Sequence, residues 1–279
     1  MTCPTEAVEF KTLDGLTLRG TLYSAENRGP AVVMTPGFNC VKEMLLPEVA
    51  EFFQNAGVTA LIYDPRSIGL SDGSPRNEID PMKQVEDYSD ALTFLTTLPI
   101  VEASQLGFWG MSLSGVVALC AAALDRRVKF LITVCPSSKY YTEEKREILL
   151  AKAVKDRVSQ AKGNPLFRYE LLNNEWERRA PGFKNRVTLQ SFYKIAMWQP
   201  QGLVPYVSPT PVMMLIPEYD SISKPEDQLA LFEGIQGPKR LHVADGKGHL
   251  NVLTGDKADV VMQQQTNFIK DVLDGKLRQ

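Results

Sequence analysis

Between residues 107 and 115 the chain reads G-F-W-G-M-S-L-S-G, which sets two serines, Ser112 and Ser114, among glycines just after an apolar run. A serine hydroxyl becomes a nucleophile only when a base lies within hydrogen-bond reach and an acid orients that base. A tight turn asks for the same small residues, so the motif alone reads either way. Histidine is scarce: His242 and His249 are the only two. His249 sits in the loop sequence G-K-G-H-L-N-V-L, whereas His242 sits inside the apolar run R-L-H-V-A. The loop position makes His249 the expected base and His242 a packed or edge-exposed strand residue. The acid should follow the apolar run 212–216, in I-P-E-Y-D-S-I-S. Asp220 is preferred there and Glu218 is its rival, and a solvated loop would suit either.

These residues need a scaffold. The segments V-E-F-K-T and L-T-L-R-G-T-L-Y flank Asp14-Gly15, a hairpin signal with alternating faces. Later runs at 31–35, 58–63, 105–109, 128–134, 212–216 and 239–244 are more uniformly apolar, as parallel strands covered on both sides are. Helical spacing lies between them, over 44–56, 84–98, 113–124, 226–235 and 258–273. Strands alternating with helices predict an α/β fold with a mostly parallel central sheet flanked by helices. Sites in such sheets gather at the carboxyl ends of the strands, where Ser112 and Asp220 both fall.

Residues 137–208 break the alternation. Helical patterns run over 141–160, 168–179 and 188–197, with no convincing strand. This segment is expected to be a helical cap inserted into a core domain of 1–136 and 209–279. It carries Phe167, Tyr169, Trp176, Phe183, Phe192, Tyr193, Trp198 and Tyr206. Most should pack, and a few should line a pocket.

Composition excludes several classes. The 279 residues hold 31 Lys and Arg against 33 Asp and Glu, a net charge of −2 spread along the chain, which is unlike a nucleic-acid binder. No apolar run reaches the roughly 18 residues of a membrane span. The first ten residues lack the basic head and apolar stretch of a secretory signal. Cys3, Cys40, Cys120 and Cys135 show no CxxC spacing, so a reducing, cytoplasmic setting is expected, with Cys120 and Cys135 as buried thiols. Two histidines without a nearby cysteine or H-x-x-x-H spacing offer little to zinc, and nucleotide-loop motifs are absent. Neither a metal nor a cofactor is expected.

The strand, the turn G-M-S-L-S-G and the alanine-rich helix after it resemble the nucleophile elbow of the α/β-hydrolase superfamily. Small residues two before and two after the serine permit that turn. Gly110 matches the first, and Ser114 stands where the second glycine is usual. The resemblance implies Ser112 as nucleophile, Ser114 as a structural residue and the chain order Ser112, Asp220, His249. T-P-G-F-N-C at 35–40 resembles the family's oxyanion loop, with Pro36 in place of a histidine, and implies the backbone amides of Phe38 and Leu113 as donors. Y-D-P-R-S-I-G at 63–69 resembles the loop after the next strand, with Asp64 and Arg66 as scaffold residues.

Within the superfamily the chain resembles dienelactone-hydrolase-related polyketide transferases and thiohydrolases of secondary metabolism. That resemblance implies an acyl-enzyme and a small-molecule acyl ester or thioester as partner, a carrier-protein-bound polyketide among the candidates. Aspartate in a related elbow serves dehalogenation, and serine does not. A simple carboxylesterase or lactonase is the alternative within enzymes. A non-catalytic binding protein, or a non-hydrolytic polyene-processing protein on the same fold, is the alternative outside them.

Overall fold

A computed structural model describes residues 5–170, 180 and 182–277. Thr5–Lys11 (β1) and Thr17–Tyr23 (β2) pair antiparallel across the Asp14-Gly15 turn, where Gly15 holds a positive φ of 90°. There follow Gly29–Thr35 (β3), Leu46–Asn55 (α1), Thr59–Tyr63 (β4), Pro81–Thr96 (α2), Val101–Met111 (β5), Leu113–Leu124 (α3) and Val128–Val134 (β6). After the inserted segment come Val212–Pro217 (β9), Pro225–Glu233 (α6), Lys239–Ala244 (β10) and Ala258–Leu273 (α7). The eight-stranded sheet runs β1-β2-β4-β3-β5-β6-β9-β10, parallel from β4 to β10, with the antiparallel hairpin at one edge. This is the α/β-hydrolase architecture expected above.

The uniformly apolar strands bury both faces. Along β3, Ala31 and Val33 join one core cluster with α2 and α3, and Val32 and Met34 join the other with α1 and α7. Successive side chains leave a strand on opposite sides, so a sheet covered twice needs apolar residues at every position. Two polar ties reach through the packing. Trp109 Nε1 donates to Gln265 Oε1 of α7 at 2.7 Å, and Tyr88 Oη of α2 donates to the Trp109 carbonyl at 2.8 Å.

Between β6 and β9 the chain leaves the sheet. Glu143–Ala161 forms α4, capped by Thr142, whose side chain accepts from the Lys145 amide. Leu189–Met197 forms α5, capped in the same way by Thr188. Two short 3-10 turns, Pro200–Gly202 and Val204–Val207, return the chain to the sheet. The expected helix over 168–179 is corrected at its start. Arg168–Glu170 is a strand (β7) paired antiparallel with Arg186–Thr188 (β8), so the segment does contain strands. The pairing sets Tyr169 opposite Val187 and brings its ring edge-on to Phe167 and Phe192, contacts that a helix there would forgo. The rest of that helix, with Trp176, lies outside the described residues, as does Cys3. Among the described residues no helix is long and apolar enough to cross a membrane.

Candidate active site

β5 ends at Met111 and α3 begins at Leu113, leaving Ser112 alone to reverse the chain. Its φ of 56° and ψ of −121° are unusual for a residue with a Cβ, a local strain of about 1–3 kcal/mol. The turn closes only because of what flanks it. A Cβ on Gly110 would lie 2.1 Å from the Ser114 carbonyl oxygen, so only glycine fits two residues before the serine. Two residues after it, the Ser114 hydroxyl donates to the Pro36 carbonyl, and so the departure from glycine there ties the 36–42 loop to the first turn of α3.

His249 and Asp220 come from two loops beyond β10 and β9. Nδ1 of His249 lies 2.8 Å from Asp220 Oδ2, and both side chains are buried. Asp220 Oδ1 accepts from the Ile222 and Ser223 amides at 2.9 and 2.8 Å, and Oδ2 also accepts from Gln228 Nε2 at 3.0 Å. Burial alone would raise this carboxyl. The bonds from His249 and the two amides outweigh it and hold the group below its ordinary value. An ionised Asp220 can only accept, so its contact with Nδ1 calls for the hydrogen on that nitrogen.

The two rivals go elsewhere. Glu218 is exposed and accepts from the Gly246 amide at 2.8 Å. His242 is half-buried on the edge strand β10, opposite Leu215, and burial lowers its pKa.

Ser112 and His249 line one cavity of about 340 Å3 with Phe38, Cys40, Met44 and Phe183. Among the described residues its lining holds no charged side chain. No hydrogen bond joins the Ser112 hydroxyl to His249 among the described residues. Gly37 presses against the serine, since a Cβ there would sit 3.2 Å from Ser112 Cβ. Among the described residues neither the Phe38 nor the Leu113 amide donates to a backbone carbonyl outside the regular elements, and Phe38 lines the cavity. Behind this loop, Asp64 accepts from the Lys42 and Leu70 amides at 2.8 Å each and from Lys42 Nζ at 3.1 Å. Arg66 is clamped between Asp87 and Asp14.

Sequence reasoning missed two neighbours. Gln228 carries no motif, only a position on the first turns of α6. Cys135 is the buried thiol expected above, and the fold also brings its Sγ to 3.9 Å from His249 Nε2, a proximity that spacing along the chain does not show. β6 and the His249 loop are 114 residues apart in the chain, so only the sheet order brings them together. Cys135, Asp220 and His249 could each offer one ligand atom within 4.8 Å of the others. Burial and the Asp220 charge push the Cys135 thiol well above its usual pKa, however, and Asp220 Oδ2 is already engaged by the imidazole. A protonated thiol is a poor metal ligand.

No family model matches the chain. It is 50% identical to a thiohydrolase of Eupenicillium brefeldianum, with 96% of this chain and 94% of that protein covered. It is 45% identical to the polyketide transferase ATR5 of Stachybotrys chlorohalonatus, with 96% and 97% covered. The crystal structure of the α/β hydrolase GrgF from Penicillium sp. superposes with a TM-score of 0.90 at 40% identity, covering 97% of this chain and 99% of that one. An eight-stranded α/β-hydrolase sheet and identities of this size over nearly the whole length lead to one conclusion: the chain belongs to the α/β-hydrolase family of fungal thiohydrolases and polyketide transferases.

Proposed function

We propose that the protein transfers or hydrolyses an apolar acyl group, of polyketide type, from a thioester through an acyl-enzyme on Ser112. The observation that carries this reading is the buried Asp220–His249 pair opening into the same uncharged cavity as the strained Ser112 turn. With a carbonyl seated, the serine hydroxyl gives its proton to His249 Nε2 as its oxygen attacks the carbonyl carbon. Apo geometry commonly tightens only at this stage. Asp220 holds the imidazole tautomer and stabilises the imidazolium that forms. The negative oxygen of the tetrahedral intermediate takes hydrogen bonds from the Phe38 and Leu113 amides, a contribution of about 3–4 kcal/mol per donor in comparable sites. The intermediate collapses, the thiol leaves with the proton from His249, and the acyl group stays on Ser112. Water or an alcohol then attacks the acyl carbonyl, again deprotonated by His249. The second tetrahedral intermediate expels Ser112 Oγ, His249 returns the proton to it, and the acid or ester product leaves.

Relatives that are a thiohydrolase and a polyketide transferase support both outcomes, hydrolysis and transfer. In this reading the 137–208 segment is a lid: it places Phe183 in the cavity wall and governs how much water reaches the acyl-enzyme. The polar carrier of the acyl group, a carrier protein's thiol arm among the candidates, stays outside the cavity because no charged or amide side chain lines it among the described residues.

The test is intact-protein mass after exposure to a small fluorophosphonate. Parent protein and Ser114→Ala should gain one adduct, and Ser112→Ala none. His249→Ala should gain it at least about a hundredfold more slowly. Acyl thioesters should turn over faster than the matching oxygen esters. The reverse preference would favour a carboxylesterase. A parent that takes no adduct removes the acyl-enzyme.

A further inference from the structure

The loop that carries Phe38 is held from two sides. On the sheet side, Ser114 bonds the Pro36 carbonyl and Gly37 packs against Ser112. On the other side the contacts run to the inserted segment. Asn39, buried with φ 56°, donates from Nδ2 to the Lys184 carbonyl at 2.9 Å. Its Oδ1 accepts from Asn77 Nδ2 at 3.3 Å. Asn77 is itself buried at φ 59°, and its carbonyl accepts from the Thr188 amide at 3.0 Å. Thr188 then starts α5, and its hydroxyl lies 3.1 Å from Glu78 Oε2 and 3.0 Å from Ser191 Oγ. Phe38 itself meets the Phe192 ring of α5 at 6.1 Å. Val41 and Ile68 bury themselves against Ala180 and Phe183.

A left-handed turn alone asks only for glycine or asparagine at one position. It does not ask that both ends of the side-chain amide be satisfied, one of them by a carbonyl 145 residues away. We propose that Asn39 is a positioning residue that makes the neighbouring Phe38 amide a productive oxyanion donor only while residues 184–197 are docked, with Asn77 and Thr188 completing the link. The inference rests on the acyl-enzyme reading and deepens it, since the site becomes complete only when the segment is seated. Undocking would strip Asn39 of the Lys184 carbonyl, free the Phe38–Asn39 backbone to shift, turn the peptide between residues 37 and 38 that carries the Phe38 N–H, and misdirect the donor. The chemistry would then be confined to a covered, drier site, where an acyl-enzyme meets less water.

The readout is the rate of Ser112 phosphonylation by a small fluorophosphonate, followed by mass, beside kcat and KM on a short acyl N-acetylcysteamine thioester. Asn39→Gly keeps the backbone conformation and removes the amide. It should slow phosphonylation and kcat about ten- to a hundredfold, with KM within about threefold. Thr188→Pro, at a φ of −69° that proline adopts, removes the amide that donates to the Asn77 carbonyl and so loosens the same link from the inserted side. It should slow the parent severalfold and add nothing in the Asn39→Gly background, because a link already broken cannot be broken again. Asn39→Asp tolerates the same turn but sets a carboxylate oxygen against the Lys184 carbonyl, and should be as slow as Asn39→Gly. It serves as the reading if the glycine variant fails to fold. Parent-like rates in whichever of the two folds, or a Thr188→Pro effect of equal size in both backgrounds, overturns the inference. A parent that takes no label overturns the acyl-enzyme reading as well, whereas a parent that labels beside an equally fast Asn39→Gly overturns this inference alone.

Discussion

Gln228 Nε2 donates at 3.0 Å to Asp220 Oδ2, the same oxygen that receives His249 Nδ1 at 2.8 Å. One amide on α6 therefore joins the Ile222 and Ser223 amides in fixing the carboxylate that orients the imidazole. The other end of that amide, Oε1, is buried and has no partner among the described residues. Holding the carboxylate is thus favoured over satisfying the side chain itself.

Replacing Asp220 by Asn should cost about a thousandfold or more in kcat, since the neutral amide no longer stabilises the imidazolium and can select the wrong tautomer. Gln228→Leu should cost about tenfold in kcat and lower the stability measured in urea by about 1–2 kcal/mol, because Asp220 and the Ser223 carbonyl each lose a buried donor. Steady-state turnover on one thioester checks both. Equal turnover in Gln228→Leu and the parent would leave the amide without a role in orientation.

Gly110 faces the Ser114 carbonyl so closely that an added methyl has nowhere to go. Gly110→Ala should destabilise the fold by about 3 kcal/mol and slow labelling of Ser112 in whatever fraction stays folded. Ser114→Ala should cost about 1 kcal/mol, for the lost bond to Pro36, and keep the label. Urea unfolding of the three proteins ranks them. A Gly110→Ala variant as stable as the parent contradicts the close approach.

Acid should act through Asp220. Its folded pKa lies below its unfolded value, so between the two the unfolded chain binds more protons and stability rises with pH. The contribution is present in full above the unfolded value of about 4 and is lost as pH falls through the lowered folded value. The stability gap between parent and Asp220→Asn should hold from neutral pH down to about pH 4 and shrink below it. Urea midpoints across that range test this, and a gap unchanged in stronger acid would count against it.

The cavity should also set acyl length. Cys40 lines it, and burial pushes that thiol up to about 12, so it is a neutral, compact wall residue at working pH. Cys40→Trp would fill part of the 340 Å3 and should lower kcat/KM for decanoyl thioesters at least about tenfold more than for acetyl. A uniform loss across chain lengths would place the acyl group elsewhere.

Much of this architecture is written in local order. Uniformly apolar runs such as V-K-F-L-I-T-V mark strands buried on both faces, because side-chain direction alternates along any strand whatever lies beyond it. The α3 boundaries and the Asp14-Gly15 hairpin are local for the same reason: turn and helix conformations are chosen within a few residues. With only two histidines, and loops that must emerge at one sheet edge, Ser112, Asp220 and His249 could be singled out before any fold was known. What the tertiary structure alone decided is which distant atoms meet. R-Y-E at 168–170 reads as helix by spacing and becomes a strand because R-V-T at 186–188 offers it a partner. Cys135 reaches His249, Gln228 reaches Asp220, and Asn39 reaches Lys184 through strand order and the path of the inserted segment. Such contacts leave no periodicity in the chain, because each is set by the closure of a long loop rather than by the residues beside it.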